Sequence, residues 1–475
     1  MWKGQPVRMI AVRNKEYQTY EQDIRELLEA FFPGQEITGE ESREASFFFD
    51  IDALVSGNEE KLTGIRFQDK SLIKELLYDK ISRETGMTLP WGTLTGIKPV
   101  KLAEKILDGD GRENPEKTRK VLETKYRVSP EKAELVTELA MREKALMQKV
   151  PKGRNWSLYA GIPFCPTRCL YCSFTSNPIS LWRDRTEEYL DCLEKELSAM
   201  RRGGQILMPA TVYAGGGTPT ALDAPDLRRF LSILTEQIDM AGTEFTVESG
   251  RPDSIDPEKL KIMRDFGVQR ISINPQTMND RTLQVIGRRH TAADTIRAFH
   301  EARKAGFDNI NMDLIMGLPG EKLSDAEHTL SEIEKLKPDS LTVHTLAVKR
   351  AARLSTDHDP WADYERAEGE EAAKMVRMGR ELADSLGMVP YYLYRQKNMA
   401  GNQDNTGYAV PGKECLYNII MMDEKQPVAG VGAGSTSKAG KTRYENPKDI
   451  RTYLNGTEDI AKRKTFFMDE LYKNS

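Results

Sequence analysis

Long apolar runs and a dense set of cysteines are both missing from this sequence of 475 residues. No run approaches the roughly 18 apolar residues that a membrane-spanning helix needs, so we expect no membrane span. The first residues, Met1 to Gln5, lack the apolar core of a secretory signal. Five cysteines are also too few for the disulfide framework of a small secreted protein. These absences predict a cytoplasmic protein whose thiols stay reduced.

An excess of charge of one sign is missing as well. The 69 Lys and Arg residues are nearly balanced by 73 Asp and Glu residues, and the net charge is only −4. A protein that binds a polyanion usually concentrates Lys and Arg on one surface, whereas here the two signs are interspersed. We therefore expect no nucleic acid partner.

The chain is too long for one ordinary hydrophobic core, and its pattern changes twice. Residues 1–150 mix short strands with helices and contain neither cysteine nor histidine, so they predict an α+β domain whose role the sequence leaves open. Residues 151–387 alternate short apolar strands with longer amphipathic helices. Residues 388–475 contain a strand-like segment and a glycine-rich turn, and we predict a small carboxyl-terminal accessory domain there.

Six strand-like segments of the middle region alternate with amphipathic helices. They are residues 157–164, 210–215, 244–249, 270–275, 309–316 and 340–346. Six βα units in one direction predict a parallel sheet that curls into a partial (β/α)6 barrel of the TIM type, an α/β fold. Because such a barrel places its chemistry in the loops after the strands, polar residues in those loops are the candidates for a site.

Three cysteines, Cys165, Cys169 and Cys172, lie within eight positions directly after the first predicted strand. Three thiolates on one short loop suit three irons of an iron–sulfur cube and leave the fourth iron open to another ligand. A structural zinc site is the alternative, but zinc usually takes four ligands from paired cysteines and histidines. Here the next cysteine is Cys192, in a predicted helix, and the first histidine is His290. The spacing favours a [4Fe–4S] cluster over zinc or a redox cysteine set.

Glycines and polar residues also follow the later predicted strands. The run Gly215–Thr220 comes after the second strand, where glycines let backbone groups approach a ligand closely. Glu248, Gln276, Arg288 and Asp313 follow or end the next strands. Each of them alone is better explained as a satisfied polar residue at a strand end. Together, at successive strand ends, they are a candidate ligand site.

The C-x3-C-x2-C spacing, with Tyr171 before the last cysteine, resembles the signature of the radical S-adenosylmethionine (SAM) superfamily. The whole set of motifs is similar to the oxygen-independent coproporphyrinogen III oxidase group of that superfamily. Within the group, the chain most resembles the HemZ branch, which shares Gly161–Phe164, Ser272–Met278 and Leu393–Asn398. The resemblance implies a SAM site lined by Tyr159, Tyr171, Gly216, Gly217, Thr218, Glu248, Gln276, Arg288 and Asp313.

The resemblance also implies a reaction. In the superfamily, SAM chelates the open iron, and one electron from the cluster splits it to give a 5'-deoxyadenosyl radical that abstracts a substrate hydrogen. HemZ-branch proteins are described as coproporphyrinogen dehydrogenases. The implied activity is therefore oxidative decarboxylation of two propionates of coproporphyrinogen III to vinyl groups, which yields protoporphyrinogen IX in heme biosynthesis. An electron donor such as flavodoxin or ferredoxin is implied as a partner.

Two departures from the oxidases leave other functions open. Gly161 stands where those oxidases carry histidine, and Phe174 stands where they carry an additional cysteine. Phe174 is shared instead with the heme-chaperone branch, whose members bind heme and do not oxidise coproporphyrinogen. A heme-binding or heme-delivery protein is therefore the alternative function, and a radical SAM enzyme with another substrate is a third.

A substrate with four carboxylates needs cations at the rim of its site, because guanidinium groups pair with carboxylates bidentately. The predicted strand-end loops supply Arg251, Arg288, Arg289, Lys349, Arg350 and Arg353. Each of these alone is more typical of solvated surface charge. Among them we predict substrate contacts for Arg251 and Arg350, and a further contact for His344 near the end of the sixth strand. The sequence identifies no catalytic residue.

Overall fold

The structure is a computed structural model that describes residues 9–39, 45–96, 98–109, 113–347, 369–396 and 399–473. The chain forms two compact units. Unit 1 comprises residues 1–141 and 394–404, and unit 2 comprises residues 142–393 and 405–475. Among the helices within the described ranges, none combines the length and the hydropathy needed to cross a membrane.

Unit 1 contains a small sheet and the first helices of the chain. Its strands are β1 (Met9–Arg13), β2 (Glu36–Thr38) and β3 (Phe47–Asp50). The helices that begin in it are α1 (Glu21–Phe31), α2 (Ile51–Ser56), α3 (Arg66–Thr85), α4 (Pro99–Leu107), α5 (Pro115–Tyr126) and α6 (Pro130–Met147). Strands and helices are mixed here, as predicted. The three strands form a parallel sheet in the order β2–β1–β3, and α1 carries the chain back from β1 to β2. Ile10, Leu27 and Phe49 are among the buried side chains of its core.

Unit 2 contains the remaining strands and helices. The strands are β4 (Ser157–Ile162), β5 (Phe164–Cys165), β6 (Asn177–Pro178), β7 (Thr211–Gly216), β8 (Glu244–Glu248), β9 (Arg270–Ser272), β10 (Ile310–Met316), β11 (Ser340–Thr345), β12 (Val389–Tyr394), β13 (Asn405–Ala409), β14 (Val428–Val431), β15 (Thr436–Ala439) and β16 (Thr442–Glu445). The helices are α7 (Thr186–Ser198), α8 (Ala224–Gln237), α9 (Pro257–Asp265), α10 (Asp280–Val285), α11 (Ala292–Lys304), α12 (Leu323–Leu336), α13 (Gly369–Ser385), α14 (Leu416–Asp423), α15 (Ile450–Asn455) and α16 (Thr457–Lys473).

Six neighbouring strands of unit 2 run parallel in the order β4–β7–β8–β9–β10–β11. Helices α7 to α12 connect them, as parallel pairing requires. Leu158, Val212 and Phe245 are fully buried members of the core between sheet and helices. The predicted partial (β/α)6 barrel is confirmed, and each of the six predicted strand segments contains or overlaps one of these strands.

The carboxyl-terminal strands extend this sheet at both of its ends. Strand β13 pairs antiparallel with β11, with Ala409 opposite Ser340, and β12 lies beside β13. At the other end β14 pairs parallel with β4, with Val428 opposite Ser157, and β15 and β16 follow. An open barrel has two edges of unpaired N–H and C=O groups, and these strands satisfy them.

The domain boundaries at 150 and 387 stay predictions. The expected accessory domain, residues 388–475, contributes its strands to the same sheet as the barrel. Residues 394–404 are grouped with unit 1 instead. Helix α13 ends just before the predicted boundary at 387, and the residues immediately before the helix lie outside the described ranges.

Candidate metal and cofactor site

The three clustered cysteines lie in the loop that follows β4, at the carboxyl-terminal edge of the parallel strands. Cys165 Sγ lies 3.8 Å from Thr218 Oγ1, and Cys172 Sγ lies 3.7 Å from Ser176 Oγ. Cys169 is buried, and its carbonyl accepts a 3.2 Å hydrogen bond from the backbone N–H of Cys172. All three are free thiols. The loop therefore holds three unpaired sulfurs in separate polar environments.

Burial disfavours the charged form of two of these thiols, Cys165 and Cys172. It raises the pKa of Cys165 to about 12 and raises that of Cys172 as well, because a thiolate loses its solvation there. Charged thiolates in this loop therefore need a cation beside them, and soft thiolates are the ligands that iron prefers. Among the described residues, no three His, Cys, Asp or Glu side chains are grouped to hold a single metal ion. A [4Fe–4S] cube takes each thiolate on a different iron, so the donor chemistry of the loop fits that cluster.

A buried arginine, Arg251, holds the cysteine loop in place. It donates to both carboxylate oxygens of Asp253, at 2.9 and 2.7 Å, and to the carbonyl and hydroxyl oxygens of Thr167, at 2.9 and 3.1 Å. Its Nη1 also lies 3.8 Å from Cys169 Sγ. These contacts occupy all five N–H donors of a guanidinium group. The contact of Arg251 with substrate stays a prediction, and within the chain its side chain positions the cysteine loop.

A second buried arginine, Arg288, connects three strand-end loops. Its Nη2 donates to the carbonyls of Gly250 and Asn274, at 2.8 and 2.6 Å. Its Nη1 lies 3.3 Å from the hydroxyl of Tyr171 and 3.9 Å from Cys169 Sγ. The Nε–H is buried and has no partner within the part of the chain that the structure describes. An unpaired buried donor is costly, and an acceptor on a bound ligand would satisfy it.

The predicted glycine turn packs directly against the start of the cysteine loop. The N–H of Gly217 donates to the carbonyl of Ile162, and the N–H of Thr218 donates to that of Phe164, both at 2.7 Å. A Cβ at Gly217 would lie 2.3 Å from Phe164 O, and Gly216 has a φ of 105° in the left-handed region. Side chains are therefore excluded at Gly216 and Gly217, which lets the backbone of this turn approach the cysteine loop closely.

Two carboxylates, one at the end of β8 and one within β10, have pKa values displaced in opposite directions. Glu248 accepts a 2.6 Å hydrogen bond from Tyr213, and burial, with the nearby charge of Asp313 adding to it, raises the pKa of Glu248 to about 7. Burial also acts to raise the pKa of Asp313, but hydrogen bonds outweigh it and lower that pKa. They come from His344, 3.7 Å away, and from Asn311 at 2.7 Å. Carboxylates whose pKa values are displaced in opposite directions are typical of functional sites.

Gln276 combines strain with an unsatisfied acceptor. Its φ of 69° is rare for a residue other than glycine, and its side-chain oxygen is buried without a partner among the described residues. Its backbone N–H donates to the carbonyl of Asp313 at 3.0 Å. Tyr159 reaches the glycine turn, since a Cβ at Gly216 would lie 3.0 Å from its hydroxyl. Strain and an orphaned acceptor at a strand end together mark a ligand position.

The structure joins the predicted SAM residues into one continuous set. The contacts above connect the members Tyr159, Tyr171, Gly216, Gly217, Thr218, Glu248, Gln276, Arg288 and Asp313 with one another or with the cysteine loop. Their roles in binding SAM stay predictions. Arg350, predicted to contact substrate, lies outside the described residues together with Lys349 and Arg353.

Two residues of this site were missed by the sequence analysis. Tyr213 supports Glu248, and Asn274 accepts from Arg288 while its side-chain oxygen accepts from the N–H of Asp313 at 3.2 Å. Tyr213 lies two positions before Gly215 in β7, so strand alternation places both on one face of the sheet. That alternation was the available signal for Tyr213, whereas nothing local distinguishes Asn274.

Comparison with known proteins finds several relatives. A family model described as the radical SAM superfamily matches residues 159–333. Over 422 residues the chain is 39% identical to the oxygen-independent coproporphyrinogen-III oxidase-like protein HemZ of Bacillus subtilis, covering 86% of this chain and 83% of that protein. Over 322 residues it is 30% identical to the heme chaperone HemW of the same species, covering 65% and 77%. The solved structure of coproporphyrinogen III oxidase HemN from Escherichia coli shares the fold, with a TM-score of 0.54 at 23% identity over 67% of this chain and 73% of that one.

Proposed function

The chain belongs to the HemZ branch of the radical SAM superfamily, whose members use a [4Fe–4S] cluster and SAM, and from this premise we propose that it oxidatively decarboxylates the propionates of coproporphyrinogen III. The observation that carries the proposal is the 39% identity to HemZ over 83% of that protein's length. The product of two such steps is protoporphyrinogen IX, so the chain acts in heme biosynthesis.

Cys165, Cys169 and Cys172 hold the cluster in this proposal. The chemistry that cluster and SAM supply when bound is a 5'-deoxyadenosyl radical, which takes a hydrogen atom from a propionate β-carbon. The protein's part is to hold the loop, exclude water and present hydrogen-bonding groups. Arg251 supports this assignment, because it ties the loop at Thr167 to the carboxylate of Asp253.

The residues of the glycine turn and the strand ends bind SAM in this proposal. The absence of side chains at Gly216 and Gly217 lets the backbone of this turn pack closely against Tyr159 and Phe164, which fixes the turn beside the cysteine loop. Gln276 offers an unsatisfied carbonyl oxygen and Arg288 an unsatisfied N–H. Glu248 and Asp313 supply acceptors that suit the cationic sulfonium and the hydroxyl groups of the nucleoside. His344 then acts through Asp313, whose pKa it helps to lower.

Substrate binding needs cations that pair with propionates, and we propose Arg350 for this role on its sequence position alone. Positioning matters because an error of about 1 Å in the reacting geometry can cost about a hundredfold in rate. The proposed reaction also needs a one-electron donor to cleave SAM, for which we propose a cytoplasmic flavodoxin or ferredoxin. It needs a one-electron acceptor as well, because the substrate radical loses one electron when it releases CO2 to form the vinyl group. If the enzyme turned over with a chemical reductant but with neither reduced flavodoxin nor reduced ferredoxin, the proposed electron donor would be wrong.

The decisive experiment is anaerobic incubation of the reconstituted protein with coproporphyrinogen III, SAM and reductant, followed by product analysis. We expect protoporphyrinogen IX, or its monovinyl intermediate, together with 5'-deoxyadenosine. Cys165→Ala should form neither, and Cys192→Ala, which changes a buried cysteine outside the loop, serves as the matched control. Formation of 5'-deoxyadenosine without either porphyrinogen product would rule out the oxidase proposal.

A heme chaperone is the second candidate function, and the surroundings of Gly161 favour it. Oxidases with histidine at this position need room for a side chain, but a Cβ at Gly161 would lie only 3.2 Å from the carbonyl of Val431 in β14. The 30% identity to HemW points the same way. Stoichiometric heme binding without porphyrinogen turnover, measured by absorption titration, would support this function over the oxidase.

A further inference from the structure

Unit 1 contains a cavity that the proposed function leaves unused. Its volume is about 280 Å³, which is at the small end of ligand pockets. Helices α1 and α3, the segment 93–96 and the start of α4 form its walls. Phe67, Leu94 and Leu102 give those walls apolar surface. The cavity lies wholly within residues 23–126, and none of the cluster or SAM residues contributes to it.

A buried cation faces this cavity without an ionic partner. Lys74 is only 6% exposed, and its Nζ donates to Thr95 Oγ1 at 2.7 Å. The Thr95 hydroxyl in turn donates to Glu26 at 3.2 Å, so a neutral hydroxyl stands between the ammonium and the carboxylate. Lys74 forms no ion pair with a carboxylate of the described residues. Burial lowers the pKa of Lys74 to about 8, so at neutral pH the ammonium form still predominates.

Other charges around the cavity compensate this cation only in part, because Asp23 and Glu26 act to raise the pKa of Lys74 whereas Lys70 and Arg395 act to lower it. Lys70 and Lys98 also line it, and Lys70 is 3.2 Å from the carboxylate of Asp23. Arg395, which is buried, lies close enough to lower the pKa of Lys74 further. A buried charge without a counter-charge is strongly unfavourable, and a bound anion would remove that cost.

The walls restrict the charge of that anion. The carboxylates of Asp23 and Glu26 line the same cavity and would repel a second negative charge. Dianionic phosphate is therefore disfavoured, whereas one carboxylate matches the ammonium of Lys74, which forms no ion pair with the residues that the structure describes. We propose that the cavity binds a small monocarboxylate, with its carboxylate paired to Lys74 and its apolar body against Phe67, Leu94 and Leu102.

The test uses the full chain and measures thermal unfolding and calorimetric binding with phenylacetate and hexanoate. Phenylacetamide has nearly the shape of phenylacetate without its charge, and inorganic phosphate tests the charge restriction. At saturation, we expect one or both carboxylates to raise Tm by about 2 °C or more, while the amide and phosphate leave it unchanged. No shift with either carboxylate, or a larger shift with phosphate, would overturn the proposal.

Two variants separate ligand binding from a structural role for Lys74. Lys74→Met keeps the length of the side chain and removes its charge, so Tm without ligand should stay equal or rise while the response to carboxylate is lost. Lys80→Met changes a half-buried lysine on the same helix that pairs with Glu84 and does not line the cavity, so this variant should respond as the wild type does. A carboxylate response that survives in Lys74→Met would place the ligand elsewhere and refute the assignment.

Chemical footprinting keeps the test independent of how the variants fold. Lysines of the wild-type protein are acetylated with and without phenylacetate and are quantified by mass spectrometry. The ligand should reduce labelling of Lys74 at least severalfold and leave Lys80 unchanged. Equal labelling of Lys74 in the two conditions, at a ligand concentration that shifts Tm, would also overturn the proposal.

Discussion

At Gly217 the backbone of the glycine turn meets the backbone of the cysteine loop. Because a Cβ there would lie 2.3 Å from Phe164 O, Gly217→Ala must push the two loops apart. We expect this variant to lose about 1–3 kcal/mol of stability and most of its SAM binding. Calorimetric titration with SAM measures the second effect. Gly39→Ala, where a Cβ meets nothing within 4 Å, is the control and should bind SAM normally.

The assignment of the three cluster ligands can be tested against other cysteines of the same chain. Anaerobic reconstitution should give about four irons and four sulfides per chain, with a broad thiolate-to-iron absorption band. Ala replacement of Cys165, Cys169 or Cys172 should abolish that band. Cys192 and Cys415 are buried outside the loop, so their replacement should preserve it. An equal loss of iron in either of those two variants would contradict the assignment.

The raised pKa of Glu248 predicts how SAM binding depends on pH. Burial raises its pKa to about 7 in the ligand-free protein, so below that pH the carboxyl is mostly protonated. A ligand that needs the carboxylate must then displace a proton, and its affinity should fall by up to about tenfold per pH unit below 7. Titrations from pH 5.5 to 8 measure this slope. Glu248→Gln should bind more weakly at pH 8 and show a flat profile; an unchanged slope in that variant would assign the proton to another group.

Some residues of the site could be predicted from the sequence and others could not. The cysteines and the glycine turn could be predicted, because their chemistry follows from residue type and spacing. Residue type and position alone do not distinguish the two arginines at Cys169, since both are basic residues in strand-end loops, and only the family resemblance assigns them different roles. Their difference lies in their partners in the folded chain: Asp253 and Thr167 occupy the donors of Arg251, whereas Arg288 retains a donor without a partner among the described residues.

Among the elements, the turn after β14 is fixed by a buried ion pair between α7 and α16. Glu196 accepts from the N–H of Gly432 and from the hydroxyl of Tyr453, both at 2.8 Å, and lies 3.1 Å from Lys464 Nζ. Tyr189, on α7, accepts from the turn and donates to the carbonyl of Gly161 in β4 at 2.7 Å. Two helices thus hold this turn beside the first barrel strand.

That network predicts a strong asymmetry between single and double variants. Lys464→Met leaves the Glu196 carboxylate buried without its cation and should destabilise the protein by about 3–5 kcal/mol. The double variant Glu196→Gln, Lys464→Met should recover part of this loss, because no charge remains buried. Denaturant unfolding measures both, with the exposed Lys462→Met on the same helix as control. A double variant less stable than Lys464→Met would contradict the explanation.

The elements themselves were predictable to different degrees. The six barrel strands are short apolar runs with amphipathic helices between them, so their order and direction follow from local pattern. The addition of β13 to β11 and of β14 to β4 does not follow from such a pattern. Strand pairing over long sequence separations depends on which edges remain open once the barrel has formed, and residues 388–475 carry no local sign of it.

At the scale of the whole molecule, the open edge of β4 predicts what truncation does. A chain ending after Pro427 lacks β14, so it leaves the N–H and C=O groups along the outer edge of β4 unpaired. We expect this chain to aggregate, since such an edge is a template for pairing with other molecules. A chain ending after Gly456 retains β14, β15 and β16 and should be markedly more soluble. Soluble fraction and light scattering of the two chains measure the difference, and equal solubility would contradict the role of β14.

The pairing of β4 with β14 joins two strands that are synthesised at widely separated times. More than half of the chain separates Ser157 from its partner Val428, and at about 5–20 residues per second a ribosome needs tens of seconds to cover that distance. During that interval β4 and the thiols beside it have emerged while their neighbouring strand has not yet been made. Insertion of iron and sulfur into the cysteine loop is therefore more compatible with a finished chain than with a nascent one, and chaperones that shield strand edges would act within that interval.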